Sequence, residues 1–244
     1  MSRNTPRMRM FAGPNGSGKT TVKNDLLPPG LFTVYVNPDD LEKAIRTDGT
    51  LNLDSYGVTF TTDELREWFT SSEFLKANHL AEAASIIECR NRIIDFHGLT
   101  MNSYYASVLS DALRRKLLAS SISFTFETVM SAPDKVELLR EAQASGFRIY
   151  LYFVATEDPT VNIARVKNRV ATGGHDVPEG KIVARYHRSL ELLREAIRHT
   201  NRAYFFDTSN EEIWYVAEIT GGVDIDLKSE EMPTWFKKAV WDKF

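Results

Sequence analysis

The stretch Gly13-Pro-Asn-Gly-Ser-Gly-Lys-Thr20 decides which fold this chain adopts. It matches the pattern G-x-x-x-x-G-K-[ST] and follows an apolar run that contains Met8, Met10 and Phe11. In this motif, backbone N–H groups surround a phosphate, the lysine reaches the β and γ oxygens, and the hydroxyl completes a magnesium shell. The pattern predicts a phosphate-binding loop (P-loop) for ATP and Mg²⁺. The predicted nucleotide-binding residues are Gly13, Asn15, Gly16, Ser17, Gly18, Lys19, Thr20 and Thr21, with Thr20 as the metal ligand.

Length and composition limit the class of protein. With 244 residues, 43% of them hydrophobic, the chain is long enough for one large α/β domain over residues 1–244. The net charge of -3 provides no global attraction to nucleic acid or to an anionic membrane. The single cysteine, Cys89, forms no intramolecular disulfide, and neither a signal peptide nor a membrane span is visible. We therefore expect a cytoplasmic protein.

Five apolar runs that alternate with helical patterns predict the fold class. They are Arg7 to Ala12, Leu31 to Val36, Ile122 to Phe126, Arg148 to Ala155 and Ala203 to Phe206. This alternation is typical of an α/β fold with a five-stranded, mostly parallel sheet and helices on both faces. Residues 47–102 lie inside one strand-to-helix connection, and their helical pattern predicts a helical insertion.

Polar residues follow the strands, at the edge where parallel sheets bind their ligands. Asn37-Pro38-Asp39-Asp40 follows the second strand and is a strong helix start, so capping alone accounts for these residues. Phosphoryl transfer to a hydroxyl also requires a positioned base. We therefore predict that Asp39 is the base, with Asp40 as the alternative and as a substrate contact.

Glu127 and Thr128 end the third predicted strand. A carboxylate at the ligand-binding edge of such a sheet either is simply solvated or orients the acceptor or a metal-bound water. We predict that Glu127 contacts the substrate, and we assign Thr128 to the same role on weaker grounds.

The segment 165–188 has the pattern of a lid. Arginines 165, 169, 185 and 188 flank a mobile connector that contains Gly173-Gly174 and His175. Arginines that close over a nucleotide neutralise charge on the moving phosphate, although single arginines on amphipathic helices are usually solvated. We predict that Arg169 and Arg185 are catalytic together with Lys19 of the P-loop, with Arg165 or Arg188 as alternative partners, and that Arg165 and His175 contact substrate.

Five motifs together resemble the zeta-toxin-like kinase family. They are the P-loop, Asn37-Pro38-Asp39, the run Phe-Glu-Thr-Val-Met-Ser that starts at Phe126, the run Arg-Val-x-x-Arg-Val-x-x-Gly-Gly-His-x-Val-Pro that starts at Arg165, and Ile-Val-Ala-Arg-Tyr that starts at Ile182. The resemblance runs from about Met8 to Asp207 and implies a P-loop kinase fold. It also implies phosphorylation of the sugar 3′-hydroxyl of UDP-N-acetylglucosamine, and a small helical antitoxin that blocks the nucleotide site. By the same resemblance, Lys19 and Thr20 hold phosphates and magnesium, Asp39 is the base, and Arg169 and Arg185 clamp phosphate.

Two other classes of function remain open from the sequence. One is a polynucleotide 5′-kinase in which the basic helices form the groove, and stimulation of ATP turnover by 5′-hydroxyl ends would identify it. The other is a nucleotide-binding switch, which ranks last because no guanine-specificity motif and no Leu-Ser-Gly-Gly signature occurs. The leading prediction is a small-molecule kinase that acts on a nucleotide sugar, with no role for a membrane.

Overall fold

The computed structural model describes residues 5–26, 28–31, 34–174 and 176–244. The strands are β1 (Arg7–Ala12), β2 (Tyr35–Val36), β3 (Thr50–Asn52), β4 (Glu88–Arg90), β5 (Ile93–Asp95), β6 (Phe124–Thr128), β7 (Arg148–Ala155), β8 (Arg202–Asp207), β9 (Trp214–Thr220) and β10 (Asp224–Leu227). The helices are α1 (Lys19–Leu26), α2 (Pro38–Asp48), α3 (Thr62–Ser71), α4 (Glu73–Lys76), α5 (Ser103–Ala119), α6 (Asp134–Ala144), α7 (Pro159–Ala171), α8 (Glu179–Glu191), α9 (Leu193–Arg198) and α10 (Thr234–Ala239).

The chain divides into two compact units. Unit 1 contains Met1–Leu31 and Glu127–Phe244, and unit 2 contains Phe32–Phe126. Strand β6 begins in unit 2 and ends in unit 1, so that Glu127 and Thr128 belong to the same unit as the P-loop.

The sheet of unit 1 has the strand order β10-β9-β8-β7-β1. Strands β1, β7 and β8 are parallel, with Arg7 opposite Arg148 and Tyr152 opposite Tyr204, whereas β9 and β10 run antiparallel to their neighbours. Successive residues of β1 and β7 are buried whether they point to one face or the other, as expected when a parallel sheet is covered on both sides. The mostly parallel α/β class predicted from the sequence is confirmed.

The predicted number of five strands was too low. All five predicted runs contain a strand, but β9 and β10 add an antiparallel hairpin after β8. Gly221 and Gly222, both with positive φ, lie in the turn of this hairpin. A Gly-Gly pair between two β-branched runs is a hairpin signal, and it lies outside the alternating pattern of strands and helices that predicts five strands.

Unit 2 contains a parallel pair and a small antiparallel sheet. Tyr35 and Val36 of β2 pair with Thr125 and Phe126 of β6. Strands β3, β5 and β4 form a separate sheet in that order. Its three-residue strands lie within 47–102, so the segment predicted as a helical insertion contains α3 and α4 and also a sheet. Strands this short carry too few residues to show alternation, and positive φ at Asn91 and Arg92 makes the two-residue turn between β4 and β5.

Among the residues that the structure describes, no helix combines the length and the apolar character that crossing a lipid bilayer requires.

Candidate active site

The P-loop connects β1 to α1, and its glycines are required by the geometry. Gly13 has a φ of +141°, and a Cβ at this position would overlap the carbonyl oxygen of Val154 on β7. Gly16 has a φ of +74°, and its Cβ would lie 2.6 Å from the carbonyl oxygen of Asn162 on α7. Both positions favour glycine on backbone grounds and exclude any larger side chain on steric grounds. The loop is therefore closely packed against β7 and α7.

Two side chains of the loop already have the arrangement that phosphate binding needs. The Nζ atom of Lys19 lies over the loop and donates hydrogen bonds of 2.9 Å to the carbonyl oxygens of Gly13 and Pro14. The Oγ atom of Ser17 is fully buried and has no hydrogen-bond partner among the described residues. A buried hydroxyl without a partner is costly in a finished structure, so it points to a polar ligand at this loop.

Thr20 and Glu127 meet although they lie 107 residues apart. The Thr20 hydroxyl is 3.1 Å from Oε2 and 3.3 Å from Oε1 of Glu127. Glu127 is only 8% exposed. Hydroxyl and carboxylate oxygens are hard donors of the type that Mg²⁺ prefers, and Mg²⁺ usually keeps several waters and substrate phosphate oxygens in its shell. This donor pair fits a magnesium ion. Within the described residues, no cluster of three or more His, Cys, Asp or Glu side chains forms a protein-only metal site.

Arg165 reaches the P-loop through Thr208. The Nη1 atom of Arg165 donates to the Thr208 hydroxyl at 3.1 Å, and its Nη2 atom donates to the Thr208 carbonyl oxygen. The Thr208 hydroxyl in turn donates to the carbonyl oxygen of Ser17 at 2.8 Å. This arrangement places one predicted substrate arginine beside the loop.

Arg185 and α7 contact Asn15 in the same loop. The Nη1 atom of Arg185, on α8, donates to Oδ1 of Asn15 at 3.3 Å. The Nδ2 atom of Asn162 donates to the carbonyl oxygen of Asn15 at 2.7 Å. Asn162 on α7 and Arg185 on α8 therefore both contact the P-loop, whereas Arg165 on α7 contacts Thr208 beside it.

The other predicted lid residues lie further along the helices. Arg169 is exposed near the end of α7, where its side chain packs so closely on Gly174 that a Cβ there would clash. Arg188 is exposed on α8. Outside the lid, the predicted nucleotide-binding residue Thr21 is exposed on α1. His175 lies outside the described residues.

Asp39 and Asp40 lie in unit 2, on the first turn of α2. Asn37 caps this helix by accepting a hydrogen bond of 3.0 Å from the Asp39 N–H group, and Pro38 occupies the first turn. Both aspartates are exposed. The capping function that the sequence suggested is therefore present, and the Asn37 side chain performs it.

Thr128 has a structural contact of its own. Its hydroxyl accepts a hydrogen bond of 3.2 Å from the N–H group of Met130, whose φ is +52°. Threonine hydroxyls often accept a hydrogen bond from the backbone N–H two residues later in a turn. Thr128 thus shapes the turn that follows β6.

Acidic residues at two other strand ends hold α10 in place. Asp207 accepts a hydrogen bond of 2.7 Å from the indole N–H of Trp235, and Glu157 accepts a hydrogen bond of 2.9 Å from the N–H of Thr234.

Two groups near the start of α7 have shifted pKa values. Asp158 caps α7, and its hydrogen bonds to Thr160 lower the pKa of its carboxyl group. Burial, followed by the charges of Glu157, Asp158 and Asp207, raises the pKa of the Tyr186 hydroxyl, which therefore stays protonated and donates.

An open pocket of about 680 Å³ lies next to Arg165. Ser209, Glu212 and Trp214 are among the residues that line it. Arg165 also contacts Thr208, which bonds to Ser17 of the P-loop. The pocket and the P-loop are therefore connected through these two side chains within unit 1. The pocket has room for the part of a nucleotide that lies beyond its phosphates.

Sequence reasoning missed Asn162 and assigned no role to Thr208. Asn162 is fully buried inside a helix, where no motif marks it, and Thr208 is 6% exposed just after β8. Thr208 belongs to the polar residues at strand ends, so its position was a usable signal. The contact made by Asn162 depends on how α7 packs on the loop and has no sequence signal.

Residues 100–216 match the model of the family described as Zeta toxin. That range starts after the P-loop, so the motif and the match are separate observations. An uncharacterized protein of Haemophilus influenzae is 31% identical over 65 residues, which is 27% of this chain and 46% of that protein. The resemblance to the zeta-toxin-like P-loop kinase family that the motifs indicated is confirmed.

Solved structures agree with this fold. A chain of the AvrRxo1-ORF1:AvrRxo1-ORF2 complex matches with a TM-score of 0.54 and 14% identity over 92% of this chain, and one of the matching structures contains ATP. The PezAT chromosomal toxin-antitoxin system of Streptococcus pneumoniae matches with a TM-score of 0.50 and 12% identity, over 100% of this chain and 80% of that chain. This chain spans 61% of the AvrRxo1 chain and less than half of the Haemophilus protein.

Proposed function

We propose that the protein is an ATP-dependent kinase that transfers the γ-phosphate to a hydroxyl group of a small molecule. The observation that carries the proposal is the meeting of four groups in unit 1: the P-loop with Lys19, the Thr20–Glu127 pair, Arg165 and Arg185. Phosphoryl transfer needs positioning and compensation of charge more than covalent chemistry, and these groups supply both.

Each residue has a stated task in this proposal. The P-loop N–H groups and Lys19 bind the phosphates of ATP. Thr20 and Glu127 would hold Mg²⁺, which compensates charge on the β and γ oxygens. Arg165 and Arg185 neutralise charge on the moving phosphoryl group, and we keep Arg169 as a third candidate for this task. The pocket beside Arg165 would receive the nucleoside.

The chemical step transfers one phosphoryl group and one proton. The acceptor oxygen forms a bond to the γ-phosphorus, the bond from that phosphorus to the β,γ-bridging oxygen breaks, and ADP leaves. We assign the proton of the acceptor hydroxyl to Asp39, with Asp40 as the alternative, on the strength of the sequence motif. Thr128 and His175 remain proposed substrate contacts on the same grounds.

For the acceptor we propose a nucleotide sugar such as UDP-N-acetylglucosamine, and for the partner a small protein antitoxin. Support comes from the family resemblance and from the likeness to a protein of a toxin-antitoxin system. Use of ATP and a single cysteine agree with action in the cytoplasm.

The test is to incubate the protein with labelled ATP, Mg²⁺ and separate pools of UDP-sugars, nucleotides and 5′-hydroxyl oligonucleotides. We expect label on a UDP-sugar, identified by mass. Label on the oligonucleotide ends would replace this proposal by a polynucleotide kinase, and no labelled product in any pool would reject the small-molecule kinase.

The assignment of the base has its own test. Asp39→Asn should keep the dissociation constant for ATP within about twofold and lower kcat by about a hundredfold or more, because only proton transfer is lost. Asp48→Asn, an exposed residue at the other end of α2, is the matched control and should leave both constants unchanged. A parental kcat for Asp39→Asn, together with a large loss for Asp40→Asn, would move the role to Asp40.

A further inference from the structure

Two carbonyl groups of the P-loop are held by side chains from outside the loop. The carbonyl oxygen of Asn15 accepts from Asn162 of α7 at 2.7 Å, and the carbonyl oxygen of Ser17 accepts from Thr208 at 2.8 Å. Both donors are buried, Asn162 completely. A buried hydrogen bond of this kind has one geometry, because a donor that turns away loses its partner without gaining water.

The direction of a carbonyl group also fixes the direction of the next N–H group. A peptide unit is planar and trans, so the C=O of one residue and the N–H of the next point in opposite directions. Asn162 therefore turns the Gly16 N–H away from α7, and Thr208 turns the Gly18 N–H away from the end of β8. These two N–H groups belong to the loop that binds phosphate through its backbone.

The orientation of the Asn162 amide is itself determined. Thr156 donates its hydroxyl hydrogen bond to Oδ1 of Asn162, which leaves Nδ2 to face the Asn15 carbonyl oxygen. The reverse orientation would bring two acceptors, Oδ1 and that carbonyl oxygen, together. Thr156 is held in turn by Tyr186 of α8, whose hydroxyl donates to the Thr156 carbonyl oxygen at 2.7 Å.

We propose that Asn162 and Thr208 are positioning residues that aim the Gly16 and Gly18 N–H groups at phosphate. Tyr186, on helix α8, supports the orientation of Asn162 through Thr156. Through Arg165, which contacts the Thr208 hydroxyl, the second support is also tied to α7. Phosphate binding and the placement of α7 and α8 are therefore linked, and each favours the other. The choice of phosphate as the ligand rests on the proposed function, whereas the aiming of the N–H groups does not.

The chain offers matched controls for two of these residues. Thr200 is 4% exposed and donates its hydroxyl to the Ile197 carbonyl oxygen at 2.8 Å, so Thr200→Val removes the same kind of donated bond as Thr208→Val, which in addition removes the acceptor of Arg165. Tyr105 is 2% exposed and donates to the Leu80 carbonyl oxygen at 2.8 Å, so Tyr105→Phe matches Tyr186→Phe. Each control removes one buried hydrogen bond that does not involve the P-loop.

The first measurement is amide hydrogen exchange of the protein without nucleotide. Thr208→Val and Asn162→Ala should speed exchange of the Ser17 N–H group, which is bonded to the Pro14 carbonyl oxygen within the loop, by about tenfold, whereas Thr200→Val should leave it unchanged. Tyr186→Phe should speed it less, because Tyr186 acts through Thr156 and Asn162. Parental exchange rates in both Thr208→Val and Asn162→Ala would overturn the inference whether or not the protein binds ATP.

The second measurement separates positioning from stability. Thr208→Val should weaken ATP binding about tenfold by calorimetry, while its melting temperature falls further than that of Thr200→Val only by the share of the lost Arg165 contact. Equal affinities of these two variants for ATP would reduce Thr208 to a structural role and overturn the inference. Absence of ATP binding by the parent protein would reject the proposed function instead, and the exchange result would still decide the aiming of the loop. Should Asn162→Ala fail to fold, Thr208→Val alone carries both readouts.

Discussion

At the scale of single residues, Glu127 has a defined position beside the P-loop. Its carboxylate lies within 3.3 Å of the Thr20 hydroxyl and is largely buried, so it has a fixed position and is not a solvated strand end. Removing its charge while keeping its shape tests whether this position serves a metal ion.

We expect Glu127→Gln to raise the Mg²⁺ concentration for half-maximal activity by about ten- to a hundredfold, because a neutral amide binds Mg²⁺ more weakly than a carboxylate. Titration of kinase activity with Mg²⁺ at saturating ATP measures this change. Glu157→Gln, at the end of β7 and bound to the N–H of Thr234, is the control and should not alter the titration. An unchanged Mg²⁺ midpoint for Glu127→Gln would exclude Glu127 from the metal shell.

Tyr152 makes the stability of unit 1 sensitive to high pH. Burial, followed by the neighbouring Tyr204, raises the pKa of its hydroxyl to about 12. Below pH 10 the phenol is protonated in both the folded and unfolded states, so its contribution to stability is complete. Between pH 10 and pH 12 only the unfolded chain loses the proton, so the free energy of unfolding falls as the pH rises.

From pH 9 to pH 11.5, the parent protein should therefore lose about 2 kcal/mol more unfolding free energy than Tyr152→Phe, whose ring has no proton to lose. Urea unfolding at the two pH values measures the difference. Tyr150→Phe, two residues earlier in β7, corrects for the general effect of removing a hydroxyl group. Equal losses in the parent and in Tyr152→Phe would show that the Tyr152 phenol does not contribute.

At the scale of elements, the P-loop is defined by its neighbours as much as by its own sequence. The Gly13 position is closed by Val154 of β7, and the Gly16 position is closed by Asn162 of α7. The G-x-x-x-x-G-K-[ST] motif names these glycines, but the strands and helices that surround the loop explain why no other residue fits.

Gly13→Ala should abolish measurable ATP binding, because the added methyl group overlaps the Val154 carbonyl and the positive φ is unfavourable for alanine. The dissociation constant for ATP, determined by calorimetry, is the relevant measurement. Gly180→Ala is the control, since a Cβ there meets no atom within 4 Å, and it should change stability by less than about 0.5 kcal/mol. Parental affinity in a folded Gly13→Ala protein would contradict the geometry of the loop.

The predicted lid is two helices that differ in how they meet the loop. On α8, Ile182 and Tyr186 are buried, as the spacing of three and four between apolar residues on one helix face predicts. Tyr186 is also more than a core residue, because its hydroxyl supports Thr156 through a hydrogen bond. Periodicity indicates which face of a helix is buried, and it contains no information about the polar groups that the buried face meets.

At the scale of the whole molecule, binding of a ligand only to the folded state must raise its stability. At ATP concentrations of about a hundred times the dissociation constant, the gain is about 2.7 kcal/mol, which for a chain of this length raises the melting temperature by about 5 to 10 °C. Differential scanning fluorimetry with and without ATP and Mg²⁺ measures the shift.

Lys19→Ala is the control for that experiment, because it removes the contact with the β and γ phosphates and leaves the rest of the loop. It should abolish most of the shift. A shift of the same size in the parent and in Lys19→Ala would mean that ATP binds away from the P-loop.

The sequence by itself determined the P-loop, the mostly parallel α/β class and the residues at the strand ends, because these follow from local patterns in the backbone and in apolar spacing. It also named Glu127 and Arg185 as site residues. The family match over residues 100–216 includes the motifs that start at Phe126, Arg165 and Ile182.

Only the tertiary structure decided that Thr20 meets Glu127, that Arg165 contacts Thr208 and Arg185 contacts Asn15, and that Asn162 and Thr208 hold carbonyl groups of the loop. These contacts join residues up to 191 positions apart, from Ser17 to Thr208. No local pattern encodes them, because they depend on how strands and helices pack around the loop.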